Sequence, residues 1–455
     1  MSSQLRQQAL SLYQSGLAGI TPGALVRDAL SLDGHTLVLN FLDRKERVAL
    51  PPRGRVLLVS VGKAAVSMAV EARRIFADGI AGAIADGIVV TKHGFARENG
   101  AAGDSLPWPV MESGHPVPDE AGVEAARAVT ALLQDTGPDD TVLVMVSGGA
   151  SALLPAPVEG ITLADKQALA GAMLREEMDI HQINAVRKAV SRLKGGGLAA
   201  LAAPSRVVGL YLSDVPGDRL ASIGSGPTIP EAVDFPAVVA LLREKDLWED
   251  APESVREVLE AGRTPLREPP AVLINGLIGA NRHLLRAIAD AAGKRGMRTA
   301  VRTEPLTGAI QPAMAELLAR WREHLRREHT GQAKGNAPVC LVSGGEITLQ
   351  VTGGGMGGRC QELAARMMPL LEDGEVFLAA GSDGNDGPTD AAGGVVDRES
   401  WSRVLAGNLP YQSLLDDNDS YHLLERSGNL IKVPPTGNNV MDVYLFLAGE
   451  TESGK

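Results

Sequence analysis

Five apolar runs in this sequence end in residues that can handle charge. Lys63 follows "LLVSVG", the small-residue stretch Ser147, Gly148, Gly149, Ala150 and Ser151 follows "TVLVMV", and Asp214 follows "GLYLS". Glu346 follows "LVSGG", and Asp383 with Asp386 follow "FLAAGS". A lysine neutralises a phosphate or carboxylate, and a glycine loop lets backbone N–H groups come close to an anion. Carboxylates supply proton acceptors and ligands for Mg²⁺. These types together suit chemistry on a small anionic molecule, which asks for charge neutralisation and alignment.

Each group also has a plainer reading. "SGGAS" serves equally well as a tight strand-to-helix turn. Asp214 suits a turn, Glu346 and Arg359 suit a structural ion pair, and "SDGNDGPTD" suits a loop rich in Asx turns. His115 and His181 read as structural. Arg187 and Lys194, seven apart in "RKAVSRLKGGG", share a helix face that points at a nucleotide or at solvent. Lys63 stands apart, because a cation in the first turn of a helix works against the dipole. Function is the better reading there.

Alternating elements must position these residues. "RVLLVSVG", "GIVVTKHG", "TVLVMV" and "RVVGLYLSDV" are continuous Val, Ile and Leu runs, separated by helical stretches such as "DEAGVEAARAVTALLQDTG". That pattern predicts an α/β fold with a parallel sheet covered on both faces, and ligands at the carboxyl ends of its strands. A chain of 455 residues is too long for one core, so more than one domain follows. A second α/β series is expected from "AVLINGL" onward, with a surface loop at "TGQAKGNAP".

Composition removes several classes of function. A net charge of −11 with only 3% aromatic residues argues against nucleic-acid binding. No apolar run reaches membrane-spanning length, and the N-terminus reads as an amphipathic helix without a secretion signal. Cys340 and Cys360 are the sole cysteines, which excludes a disulfide framework and fits a cytoplasmic setting. Walker A is absent, since Lys63 lacks the required upstream glycine and following hydroxyl residue. "GGGMGG" (353–358) does match the spacing of a dinucleotide-binding loop, and it supports a competing reading as a nicotinamide-dependent reductase. A non-enzymatic sugar-phosphate-binding module is the third reading. Measurable ATP turnover with a hydroxy acid would dispose of it.

The motifs "VGKA", "SGHPVPDEAG", "SGGASALL", "INAVRKAVSRLKGGGLA", "LSDVPGD", "GGRCQELA", "AAGSDGNDGPTDAAGG" and "TGNNVMD" resemble those of class II glycerate kinases with a MOFRL domain. The likeness runs over nearly the whole chain. It implies ATP- and Mg²⁺-dependent phosphorylation of D-glycerate to 2-phosphoglycerate, although bacterial members often carry the label hydroxypyruvate reductase. It also implies a Rossmann-like first domain (1–265), a second α/β domain (266–455) holding the MOFRL region from about 338 to 450, and an active site in the cleft between them. Carried over by motif, the catalytic set is Lys63, Asp214, Glu346 and Arg359. Ser147, Gly148, Gly149, Ser151, Asn184, Arg187, Lys194, Gly353, Gly354, Gly355 and Asn438 would surround substrate and phosphates. Asp214, Asp383 and Asp386 would meet the metal. Cys360 and Asn438 depart from the usual Asn and Thr, which bears on substrate preference. D-Glycerate and ATP are the expected partners; a homodimer stays open.

Overall fold

The computed structural model describes residues 2–79, 82–98, 106–176, 178, 180–262, 268–302, 304–330 and 337–449. They form two compact units. The first comprises Pro22–Asp214 and Asp218–Gly279, and the second Met1–Thr21, Val215–Gly217 and Ala280–Lys455.

The first unit is built on a six-stranded sheet in the order Val110–Ser113, Asp86–Lys92, Val56–Val61, Thr141–Val146, Arg206–Leu212, Leu273–Gly279. Every neighbouring pair is parallel, as the uninterrupted apolar runs predict. All six residues of Val56–Val61 and of Thr141–Val146 are buried, so these two central strands are covered on both faces. Helix Glu120–Gln134 starts where Asp119 accepts the N–H of Gly122 at 3.0 Å, a side-chain N-cap. A small antiparallel sheet, Leu30–Asp33, Thr36–Asn40 and Lys45–Ala49, precedes the parallel one. The apolar pattern of the sequence predicts no strands there.

Two expectations change. Leu273–Gly279 does not open the second unit; it pairs with Arg206–Leu212 as the edge strand of the first sheet. The boundary expected near 265 itself lies outside the described residues, as do 331–336 of the expected surface loop. An apolar run carries no record of which sheet it will join, because parallel pairing is non-local. The N-terminal helix Ser2–Gly19 belongs to the second unit, where the Tyr13 hydroxyl donates to the Gly381 carbonyl at 2.6 Å.

The second unit has a mixed sheet, with Val339–Thr348 and Glu375–Gly381 both antiparallel to Asp442–Ala448. Reversing one strand brings its first residue to the edge where its neighbours end. Asp442 therefore sits in register with Gly345 on one side and Gly381 on the other. Trp321 stacks on Phe446 with ring centroids 5.1 Å apart in the core beside this sheet. Among the described residues no helix is long and apolar enough to cross a membrane.

Candidate functional site

The carboxyl ends of the central strands in the first unit gather Lys63, the 147–151 loop and Asp214. The Lys63 N–H donates to the Gly148 carbonyl at 2.9 Å, and the Ala64 N–H donates to Ser147 Oγ at 3.1 Å. These bonds fasten the turn after Val56–Val61 to the loop after Thr141–Val146. A Cβ at Gly148 would overlap the carboxylate of Asp214. One at Gly149, which has φ of +87°, would lie 3.1 Å from the His115 ring and 3.6 Å from Lys63 Cγ. Small residues therefore sit here because two charged side chains and a histidine press onto the backbone. The N–H groups of Gly148 and Gly149 make no hydrogen bond to protein among the described residues.

The electrostatics follow from that crowding. Burial pushes the Asp214 carboxyl up to about 6, against the opposing pull of Lys63. Burial also holds the His115 imidazole down to about 4, with Lys63, Lys92 and Arg187 adding to the effect. His115 is thus neutral at physiological pH. It belongs to the cluster although its sequence context reads as structural, and the signal that could have found it is its place in the "SGHPVPDEAG" motif.

A second layer connects Ser151, Asn184, Arg187 and Lys194. Lys194 Nζ donates to the Ser151 carbonyl at 2.7 Å, the Ser151 and Ser225 hydroxyls are 2.9 Å apart, and Ser225 donates to Asn184 Oδ1 at 2.9 Å. Asn184 Nδ2 is buried and has no partner among the described residues. Ser151, Arg187 and Lys194 line one cavity.

The expected residues of the second unit behave differently. Arg359 is at the first position of helix Arg359–Met367. Its Nε and Nη2 donate to Asp442 at 2.6 and 3.1 Å, and Nη1 donates to Glu346 at 2.7 Å. Burial opposes this charge, but Asp442 and Glu346 outweigh burial and hold the guanidinium firmly protonated. The plainer reading of Glu346 and Arg359 as an ion pair is the geometry found. Asp442, which sequence reasoning did not single out, is its centre.

Asp386 is a helix cap. Its two oxygens accept the Cys360 and Gln361 N–H groups at 3.1 and 2.8 Å, and burial together with nearby Asp442 pushes it up to about 7. A carboxyl already bonded through both oxygens is poorly placed for a metal. Asp383, partly exposed, accepts the Asn385 N–H at 3.1 Å in an Asx turn. Asn438 Nδ2 donates to the Ile20 carbonyl at 2.6 Å, so its side chain anchors the end of the N-terminal segment.

The "GGGMGG" loop needs a correction. Its N–H groups are expected to meet phosphates, but the chain segment 417–419 already occupies them. Gly353 donates to Asn418 Oδ1 at 3.0 Å, Gly354 to Asp417 Oδ1 at 2.8 Å, Gly355 to the Asp417 carbonyl at 2.8 Å, and Met356 to Asp419 Oδ1 at 3.1 Å. Two carboxylates at this position repel an anion. A Cβ at Gly353 or Gly355 would overlap segment 417–419, whereas one at Gly354 meets nothing within 4 Å. Gly354→Ala should therefore leave the thermal midpoint unchanged, while Gly355→Ala should destabilise by about 2–4 kcal/mol. Equal effects in paired melting curves would show that these glycines do not serve the internal packing.

A parallel sheet whose strand ends carry unspent backbone N–H groups, a lysine and a desolvated carboxylate defines an α/β protein with a cluster suited to small anions. Comparison with known proteins narrows the class. Residues 8–260 match a family model described as Domain of unknown function (DUF4147), and residues 339–442 match the MOFRL family. The chain is 36% identical to D-glycerate 2-kinase from Thermotoga maritima, over 94% of this chain and 99% of the relative. It is 35% identical to glycerate 2-kinase from Pyrococcus horikoshii, over 98% of each. The crystal structure of glycerate kinase from Thermotoga maritima superimposes with a TM-score of 0.80 at 33% identity, covering 98% of this chain and 100% of that one. This chain belongs to the MOFRL-containing glycerate kinase family.

Proposed function

We propose that this protein is a glycerate 2-kinase, transferring the terminal phosphoryl group of ATP to the 2-hydroxyl of D-glycerate. The observation that carries the reading is the packing of Lys63 and Asp214 against the unspent N–H groups of Gly148 and Gly149. Such transfer passes through a loose transition state with charge spread over phosphoryl oxygens, so fixed donors and one cation matter more than a nucleophile. Gly148 and Gly149 donate to that charge and Lys63 neutralises it. Asp214 receives the hydroxyl proton, and its elevation to about 6 places it closer to neutrality than an ordinary carboxylate.

Mg²⁺ fits this cluster in a limited way. Among the described residues no three His, Cys, Asp or Glu side chains gather closely enough to hold a metal by themselves. Mg²⁺ keeps its waters and takes phosphate oxygens, so it would arrive on the nucleotide, with Asp214 the carboxylate able to join. Its chemistry there would be neutralisation of phosphate charge. The reductase reading loses its main support, since the "GGGMGG" donors face Asp417 and Asp419.

The product distinguishes the readings. D-Glycerate, ATP and Mg²⁺ followed by enolase alone should give phosphoenolpyruvate, since enolase takes the 2-phosphate directly. Phosphoenolpyruvate that forms only after a phosphoglycerate mutase is added would mean the 3-hydroxyl is phosphorylated. Consumption of NADH with hydroxypyruvate in the absence of ATP would favour the reductase.

A further inference from the structure

A cavity of about 130 Å³ in the first unit is bordered by three basic side chains and, among the described residues, no acidic one. Lys166 comes from helix Leu163–Arg175, Arg187 from helix Ile180–Ala189, and Lys194 from the turn after it. Lys166 and Lys194 are only 8% and 6% exposed. Neither has a carboxylate partner among the described residues; Lys166 reaches the Val190 carbonyl at 3.4 Å and Lys194 the Ser151 carbonyl at 2.7 Å. The Arg187 side chain makes no ion pair or hydrogen bond among the described residues. Its neighbour Lys188, by contrast, is paired with Glu231 outside the cavity.

Buried cations are ordinarily paired, because desolvation without a counter-charge is costly. Here two buried lysines and a partly buried arginine converge on one void, and among the described residues no carboxylate joins them. An anion from outside would supply the charge that keeps all three protonated. A single carboxylate would balance one of the three, whereas two linked phosphoryl groups carry enough charge to balance all of them. Besides Ser151 and Gln167 the wall is mostly apolar, with Pro155, Leu169 and Met173 lowering the local polarity around the charges. Ser151 joins the cavity directly to the loop that holds Gly148 and Gly149.

We infer that the Lys166, Arg187 and Lys194 cavity is a polyanion site that takes a diphosphate group, with Lys166 a binding residue. The inference deepens the kinase reading, and it rests on that reading only for the origin of the diphosphate. The group is either the phosphate tail of a nucleotide or free inorganic pyrophosphate. Burial of the two lysines, and their nearness to Arg187, lowers both amines from their ordinary range, Lys166 to about 8. A bound anion reverses that strain.

The test uses the full-length protein, titrated calorimetrically with pyrophosphate and separately with ATP, and followed by melting curves without ligand. Wild type should bind both. Lys166→Met should weaken pyrophosphate binding by roughly tenfold or more, while the unliganded melting temperature stays the same or rises because an uncompensated buried charge has gone. Competition between pyrophosphate and ATP, with both weakened in Lys166→Met, assigns the cavity to nucleotide phosphates; independent binding, with only pyrophosphate weakened, assigns it to a free anion, and both uphold the site. Failure of wild type to bind pyrophosphate, or unchanged affinities in Lys166→Met, overturns it. If Lys166→Met fails to fold, Arg187→Gln in the same titrations carries the decision. Absence of D-glycerate turnover, measured separately, would defeat the kinase reading without touching these titrations.

Discussion

Replacing Lys63 with Ala should lower kcat for D-glycerate phosphorylation by about two orders of magnitude or more, the effect expected when a charge facing the transition state is removed. The fold should survive, because the Lys63 backbone makes the structural contact, donating to the Gly148 carbonyl at 2.9 Å. A second signature separates this from general damage. Lys63 is the cation that favours the ionised form of Asp214, so its loss should push the Asp214 carboxyl above its present value of about 6. Activity that needs the Asp214 carboxylate falls as pH drops through that value. The acid limb of kcat against pH should therefore move to higher pH in Lys63→Ala. Near-normal kcat would remove Lys63 from the chemistry. A large loss with an unmoved acid limb would detach Lys63 from Asp214.

How much of this was legible in the sequence depends on whether the determining contact is local. The strand ends carrying Lys63, Ser147–Ser151 and Asp214 were readable, because uninterrupted apolar runs specify parallel strands and such sheets bind at their carboxyl ends. Their convergence needed only the topology of neighbouring strands. The glycines at 353–355 were legible as glycines but not in purpose. What requires them small is a segment more than sixty residues downstream, whose Asp417, Asn418 and Asp419 side chains take the N–H groups an anion would want. The ion pair of Arg359 with Glu346 was one reading of the sequence, but its second partner, Asp442, is brought alongside only by an antiparallel strand. Lys166 gave no signal, since a lysine on an otherwise ordinary helix reads as exposed. Only the fold puts it inside.

Asp214→Asn should abolish turnover yet leave a more stable protein. The carboxylate has been carried from its ordinary 3.8 to about 6, chiefly by burial, which corresponds to about 3 kcal/mol against the charged form. Asp214 keeps some contact with solvent, so a gain of about 1 kcal/mol is the reasonable expectation for the amide. The sign is fixed by linkage. A carboxyl with a raised folded pKa binds its proton more readily folded than unfolded, so its penalty is absent in acid and grows as pH rises from about 4 to about 6. The stabilisation in Asp214→Asn should therefore be largest above pH 6, and should vanish well below pH 4 when both proteins are melted across that range. Turnover should fall by at least about a hundredfold at every pH, since Asn has the shape of Asp but accepts no proton. Gly148→Ala offers an independent approach to the same carboxylate. Its Cβ would displace the Asp214 side chain without changing its charge, so activity should fall while no stability is gained. A stable, inactive Asp214→Asn beside an inactive Gly148→Ala that is no more stable than wild type would assign the loss to the position and charge of this one group. An active Asp214→Asn would end the proposal that Asp214 takes the proton.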